Sequence, residues 1–263
     1  MRIAPIAAIA AGLAAAGIIA AAAARPPAAG EPATEVEYAR LLPWQFEARM
    51  KAMPLAYVPV GSLEWHGEHL ALGNDGVKVE DICRIAARKG GGIVLPGMFL
   101  GVLGMTGWAK RYEGTVGSHG IFSVEPDLLK RILTAELANL DRLGFKGAIV
   151  ITGHYPQEQV DLVKAVASEF AATRGLKVAG ITDRDLARST GHTGDHAAKW
   201  ETSILMALRP ELVDLSRLPA APAPLEGVFG DDPRTKASAE LGRKVVDAMA
   251  AEMAELGKRL AGR

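Results

Sequence analysis

Glu64, His66 and Asp75 follow closely on the apolar run Ala56 to Val60. A glutamate, a histidine and an aspartate together offer carboxylate oxygens and an imidazole nitrogen, a donor set that suits a divalent transition metal such as zinc, manganese or iron. Further along, His154 comes after a second apolar run and a glycine, and Asp195, His196 and Glu201 open a segment with helical spacing. His196 and Glu201 are five apart, which on a helix sets them about 140° from one another, flanking one site without sharing a ligand. Glu64 and His66 are splayed if the strand ends before them, because alternate residues share a face only while a strand persists.

Three separate segments must be brought to one place, and the pattern between them supplies a scaffold. Ala56 to Val60 reads as a buried strand of a parallel sheet, after which Gly61, Gly67 and Gly73 let the chain turn. A helical segment from Tyr38 to Ala52 precedes it. A helix over Val77 to Lys89 follows, ended by Gly90-Gly91-Gly92, then a short strand, Ile93 to Pro96. Met98 to Gly120 is a glycine-rich loop long enough to wall a substrate. Ser123 caps a helix reaching Leu143 with Pro126 in its first turn. The rest alternates: strand Gly147 to Ile151, helix Val160 to Arg174, strand Lys177 to Ile181, helix His196 to Leu208, a Pro/Ala-rich loop Leu218 to Pro233, and a helix Ala237 to Leu260. Such alternation predicts an α/β fold with a mostly parallel central sheet and helices on both faces. In open sheets of this kind ligands sit beyond the carboxyl ends of the strands, where the candidate residues fall.

At 263 residues the chain fits one α/β domain. Thirty basic residues balance thirty acidic ones, and no basic stripe is present, which argues against nucleic acid as a partner. Cys83 is the single cysteine, so an internal disulfide and a thiolate metal cluster are excluded, and its helical setting makes it a core residue. No phosphate-binding Gly-x-x-x-x-Gly-Lys-Ser/Thr loop follows a strand. Met1-Arg2, the apolar tract Ile3 to Ala24 and Arg25-Pro26-Pro27 match a secretory signal peptide over residues 1–25, cleaved near Ala22 to Ala24, with a periplasmic or secreted mature protein. The same tract is also just long enough to stay as a membrane anchor, the one membrane contact expected. Residues 26–36, rich in Pro, Ala and Glu, read as a disordered lead-in to a domain spanning 37–263.

Several of these residues stand in recognisable motifs. The run Gly61-Ser62-Leu63-Glu64-Trp65-His66-Gly67-Glu68-His69-Leu70 through Asp75, the segment Gly153-His154-Tyr155, and Asp195-His196-Ala197 with Glu201-Thr202-Ser203 through Arg209-Pro210-Glu211-Leu212-Val213 resemble the creatininase (creatinine amidohydrolase) family. Gly227-Val228-Phe229-Gly230-Asp231-Asp232-Pro233-Arg234 resembles it too, and the likeness runs over about residues 40 to 260. The resemblance implies a three-layer α/β/α subunit, assembly into a homo-oligomer (a hexamer), and a hydrolytic site with two divalent ions, zinc, manganese or iron. By that resemblance Glu64 and His154 hold one ion, His66 the other, and Asp75 bridges them. His196 moves protons, and Glu201 lines the site or completes the second ion. Where creatininase proper carries a metal-binding glutamate two residues after the strand-end histidine, this chain has Pro156, so the second ion draws on Glu201, Glu158 or water. Lys199 stands where many relatives are acidic, Trp65 and Glu68 replace Gln and Pro, and the stretch Ser189 to Asp195 offers His192 but no tryptophan.

The chemistry so implied is hydrolysis of a C–N bond in a small cyclic or linear amide. Two cations sharing Asp75 lower the pKa of a bridging water, and His196 delivers a proton to the leaving nitrogen. Tyr155, Trp200, His119 and His192 are the candidate substrate contacts. His69 either orients a ligand or is an ordinary loop histidine. Two other classes share the architecture: a hydrolase of a formamide or a small peptide bond, and a degenerate, non-catalytic member that binds metal or ligand, for which Pro156 and Lys199 argue.

Overall fold

Short runs of apolar residues build the centre of the molecule: β1 (Leu55–Val60), β2 (Ile93–Val94), β3 (Gly147–Thr152) and β4 (Lys177–Thr182). A computed structural model describes residues 35–102 and 121–263. The expected signal peptide, most of the lead-in, His119 and the greater part of the glycine-rich loop lie outside them. Among the described residues, no helix is long and apolar enough to cross a membrane. The strands form one parallel sheet in the order β2-β1-β3-β4, with Val60 beside Thr152 and Thr152 beside Thr182.

β1 and β3 are buried along their whole length, which requires helices on both faces. Their side chains alternate. Leu55, Tyr57, Ile149 and Ile151 pack on α2 (Asn74–Gly90) and on the long C-terminal helix Ala239–Ala261, through Val79, Ile82, Cys83, Met249 and Met253. Ala56, Val58, Val60, Ala148 and Val150 face α3 (Pro126–Arg142) and α4 (Gln157–Thr173), through Leu129, Leu133, Leu137, Val163 and Phe170. The result is the expected three-layer α/β/α sandwich. The remaining helices are α1 (Pro43–Ala52), α5 (Asp183–Leu186), α6 (Lys199–Leu208) and α7 (Pro233–Lys236), which makes the C-terminal helix α8.

Four expectations change. Glu35 and Val36 are not part of a disordered lead-in: Val36 is buried, and its carbonyl accepts the Val94 N–H at 2.9 Å. The entry segment is broken into a 3₁₀ turn, Tyr38–Arg40, and α1, because Pro43 pushes Leu42 into an extended conformation (φ −72°, ψ 155°). Ser123 is not the cap of α3; Glu125 holds that position and Pro126 opens the helix, where its missing N–H is harmless. Most relevant to chemistry, His196 precedes α6. It pairs with Phe229 in an antiparallel bridge (N–H to O, 3.0 and 2.8 Å), so the helical angle expected between His196 and Glu201 does not apply.

After β1 the chain turns to β2 on one side, and later to β3 on the other. The carboxyl ends of β1 and β3 therefore flank a crevice of the kind that binds ligands in open sheets. Glycines bring α2 against this end. A Cβ on Gly61 would overlap the backbone of Gly76, and one on Gly153 would overlap the Asp75 carbonyl. Farther out, α8 holds α6 in place by an equally close approach, with Gly242 against the Ser203 carbonyl. Replacing Gly242 by alanine forces two helix backbones apart, and is expected to destabilise by about 1–3 kcal/mol or more. Thermal unfolding will show this as a lower midpoint.

Candidate metal centre

Asp75 lies in the first turn of α2, where the positive end of the helix dipole favours an anion. Its carboxylate is fully enclosed, with one oxygen on each of two donor groups. On one side Oδ2 stands 2.9 Å from His154 Nδ1, and Glu64 Oε2 stands 3.1 Å from the same nitrogen. On the other, Oδ1 is 3.1 Å from His66 Nε2, itself 3.5 Å from Glu201 Oε2. Glu64, Asp75 and His154 thus form one cluster of donor atoms, and His66, Asp75 and Glu201 a second, each within 4.8 Å. A third grouping joins the buried Glu64 and His66 to the partly buried His196. Glu64 and His66 are splayed as expected, one to each side of Asp75.

Ring orientation is set by the backbone. His154 Nε2 faces the Val102 carbonyl at 3.2 Å and His66 Nδ1 faces the Glu64 carbonyl at 2.9 Å. Each therefore donates there and turns its other nitrogen to the carboxylates, the arrangement common to metal-binding histidines. Ser62 Oγ donates to Asp75 Oδ2 at 2.7 Å, and Asn74 Nδ2 reaches Oδ1 at 3.3 Å. Carboxylate oxygens and oriented imidazole nitrogens fit a divalent ion of the zinc or manganese kind.

Glu201 comes from the first turn of α6. The segment before it is anchored by Asp195, whose carboxylate accepts the N–H groups of Trp200 (2.7 Å) and Glu201 (3.1 Å). Ala197 adopts a left-handed conformation (φ 53°), uncommon for a residue with a Cβ, and its N–H donates to Glu201 Oε2 at 2.8 Å. This turn sets His196 with its ring stacked on His66 (centroids 4.3 Å apart) and Nε2 3.0 Å from the Trp65 carbonyl. Burial and the charge of His66 hold the His196 imidazole below its usual pKa, so it is neutral near pH 7.

Not every expected residue lies in this group. Glu158 is exposed on the first turn of α4 and supplies nothing to the second cluster. His69 is buried and reaches Thr202 Oγ1 at 3.0 Å, away from the carboxylates. Tyr155 lies behind the centre, its hydroxyl donated to Asp183 Oδ1 at 2.6 Å. His192 and Trp200 pack together (ring centroids 5.1 Å apart). Two residues come as additions. Lys78, one helical turn after Asp75, is completely enclosed; it forms an ion pair with Glu201 and lies 3.5 Å from Asp75 Oδ1 and from Asp183 Oδ2. Asp183 follows directly on β4, a strand-end position like that of His154.

A family model described as creatinine amidohydrolase (Creatininase) matches residues 41–256. The chain belongs to the creatininase family. Within that family it is 29% identical over 225 residues to the creatinine amidohydrolase of Pseudomonas putida, covering 76% of this chain and 84% of the relative. It also superimposes on a crystal structure of manganese creatininase at 25% identity (TM-score 0.65, 86% of this chain and 98% of the other). A zinc–zinc form of a glutamate-to-glutamine creatininase variant matches at 26% identity (TM-score 0.64, 86% and 98%). Creatininase structures thus carry manganese or zinc, and this member of the family presents candidate groups for such ions.

The electrostatics give a test. In the ion-free protein, burial works against protonation of His66 and His154, but Asp75 with Glu201 and Glu64 overcomes it and lifts them to about 10 and about 9. Both pKa values lie above the ordinary 6.5, so the stability they confer is fully present below that pH and lost as pH rises towards 9 and 10. Melting curves recorded in chelator are expected to fall across this window, whereas saturating zinc or manganese, which replaces those protons, should flatten the dependence and release protons on binding.

Proposed function

We propose that the protein is a metal-dependent amidohydrolase that cleaves the C–N bond of a small cyclic or linear amide. One observation carries this reading: Asp75 offers its two oxygens to two buried clusters of carboxylate and imidazole donors, at the sheet end where ligands bind. Membership of a family described as creatinine amidohydrolase, and the named activity of the Pseudomonas putida relative, support the reaction class.

Glu64, Asp75 and His154 would hold a divalent ion, with His66 and Glu201 forming the second donor cluster. Such an ion supplies Lewis acidity, making a water acidic near neutrality and polarising a carbonyl. The protein's own part is to hold the donors, exclude bulk water and move a proton. His196 does the last. Its Nε2–H is held by the Trp65 carbonyl, so Nδ1 carries the lone pair that accepts a proton and passes it to the departing nitrogen. An amine leaves poorly as an anion, so C–N cleavage depends on this transfer. Trp200 and His192, packed ring against ring at a tilt, are the candidate substrate wall. Export of the mature protein is supported by the apolar tract Ile3 to Ala24, and a homo-oligomer, a hexamer, by the family resemblance.

The deciding experiment is a screen of manganese- and zinc-loaded protein against small cyclic and linear amides, creatinine included, with ammonia or amine release as readout. Turnover is expected on at least one of them. Metal uptake with no turnover on any amide would favour a non-catalytic binding member of the family. His196→Ala is expected to keep its metal and lose about 10²–10⁴-fold in turnover, and unchanged turnover would reject its role. Asp75→Ala should lose bound metal by elemental analysis, along with activity.

A further inference from the structure

Among the described residues, Lys78 is the one lysine or arginine set into the second donor cluster. Its side chain is wholly enclosed and runs across Gly153, where a Cβ would stand 2.9 Å from its Cε. The ammonium pairs with Glu201 Oε1 and lies 3.5 Å from Asp75 Oδ1, so it engages both carboxylates that the His66 cluster would offer an ion. From the far side it is held by Asp183 and Tyr155. Asp183 Oδ2 makes no hydrogen bond and has Lys78 Nζ at 3.5 Å; the Tyr155 hydroxyl is also 3.5 Å from Nζ, with the ring centroid 4.6 Å away. The other cluster is different. Glu64 Oε2, Asp75 Oδ2 and His154 Nδ1 meet with no lysine or arginine nitrogen within ion-pair distance of those oxygens among the described residues.

We infer that Lys78 is a built-in substitute for a second metal ion, so that this protein binds one divalent ion, at Glu64, Asp75 and His154, with the Lys78 ammonium as the fixed positive charge beside it. The inference rests on the metal-hydrolase reading above and sharpens it. A dication at His66, Asp75 and Glu201 would have to share Asp75 Oδ1 and the Glu201 carboxylate with a wholly enclosed ammonium, and like charges that close repel strongly where water is excluded. With one ion in place, Lys78 balances Glu201 and Asp183 and keeps Asp75 Oδ1 in a positive field. The second cluster then becomes an electrostatic anchor rather than an ion site.

The test is metal stoichiometry on the full chain. Wild-type protein, stripped and reloaded with manganese, is expected to hold one equivalent per subunit by elemental analysis. Its electron paramagnetic resonance spectrum should be the hyperfine-split signal of an isolated Mn(II). Lys78→Met should raise uptake to two equivalents and convert the spectrum to that of an exchange-coupled pair, while Lys78→Arg, which keeps the charge, stays at one. Lys78→Met leaves Asp183 buried without its cation, so the double variant Lys78→Met/Asp183→Asn supplies the same comparison if the single one fails to fold. Two coupled equivalents in the wild type would overturn the inference and leave the hydrolase reading standing. One equivalent in wild type and in every Lys78 variant would also overturn it, since the lysine would not be what excludes the second ion. No uptake in any form would remove the metal-hydrolase reading and this inference with it.

Discussion

Burial of negative charge is the constraint from which the rest of this structure follows. Glu64, Asp75, Asp183 and Glu201 are each 5% exposed or less, at one end of a sheet whose interior is otherwise aliphatic. Carboxylates cannot stay ionised in such a place without compensation. The chain supplies it in three forms: the Lys78 ammonium, imidazoles aimed at the carboxylates, and the amino-terminal turns of α2 and α6 that carry Asp75 and Glu201. Burial would raise the Asp75 pKa, yet the charges of His66 and Lys78 hold it well below the usual carboxylate range. The result is an array of donors already stripped of water and fixed in orientation, a donor set of the kind that suits a divalent ion.

That array exists because α2 can approach the sheet. Gly61 and Gly153 leave room for backbone against backbone, and only at that separation does Asp75 reach both His66 from the loop after β1 and His154 from the end of β3. Position is set here by the absence of side chains. The glycines and the ligands form one device, the former fixing the helix and the latter exploiting where it lands.

Much of this was readable in the sequence, for a physical reason. A parallel sheet sends all its strand ends to one side, so apolar runs followed by glycine and a histidine or acid mark the site even when they are far apart in the chain. Glu64, His66, Asp75 and His154 were found in this way. Lys78 was not, because it sits inside a helical pattern and resembles any solvated lysine; its spacing of three from Asp75, which puts both on one helix face, was the available signal. Asp183 follows a strand as His154 does, but the apolar run in the sequence stops at Ile181, one residue before the strand ends at Thr182, and so hides the acid. The helical expectation for His196 fails for another reason. Helical periodicity in the residues that follow extended the helix backwards over a turn that the left-handed Ala197 and the Phe229 bridge impose, and neither is visible in spacing.

The bridge between His196 and Phe229 ties that histidine to the end of the proline-rich segment Leu218 to Pro233. Two backbone hydrogen bonds join the pair, and the Phe229 ring, half exposed, lies 5.7 Å from the imidazole. A displacement of Phe229 would therefore be transmitted to the His196 backbone through those two bonds. The segment thus bears on the histidine through its main chain, while Glu64, Asp75 and His154 are carried by the loop after β1, the start of α2 and the end of β3.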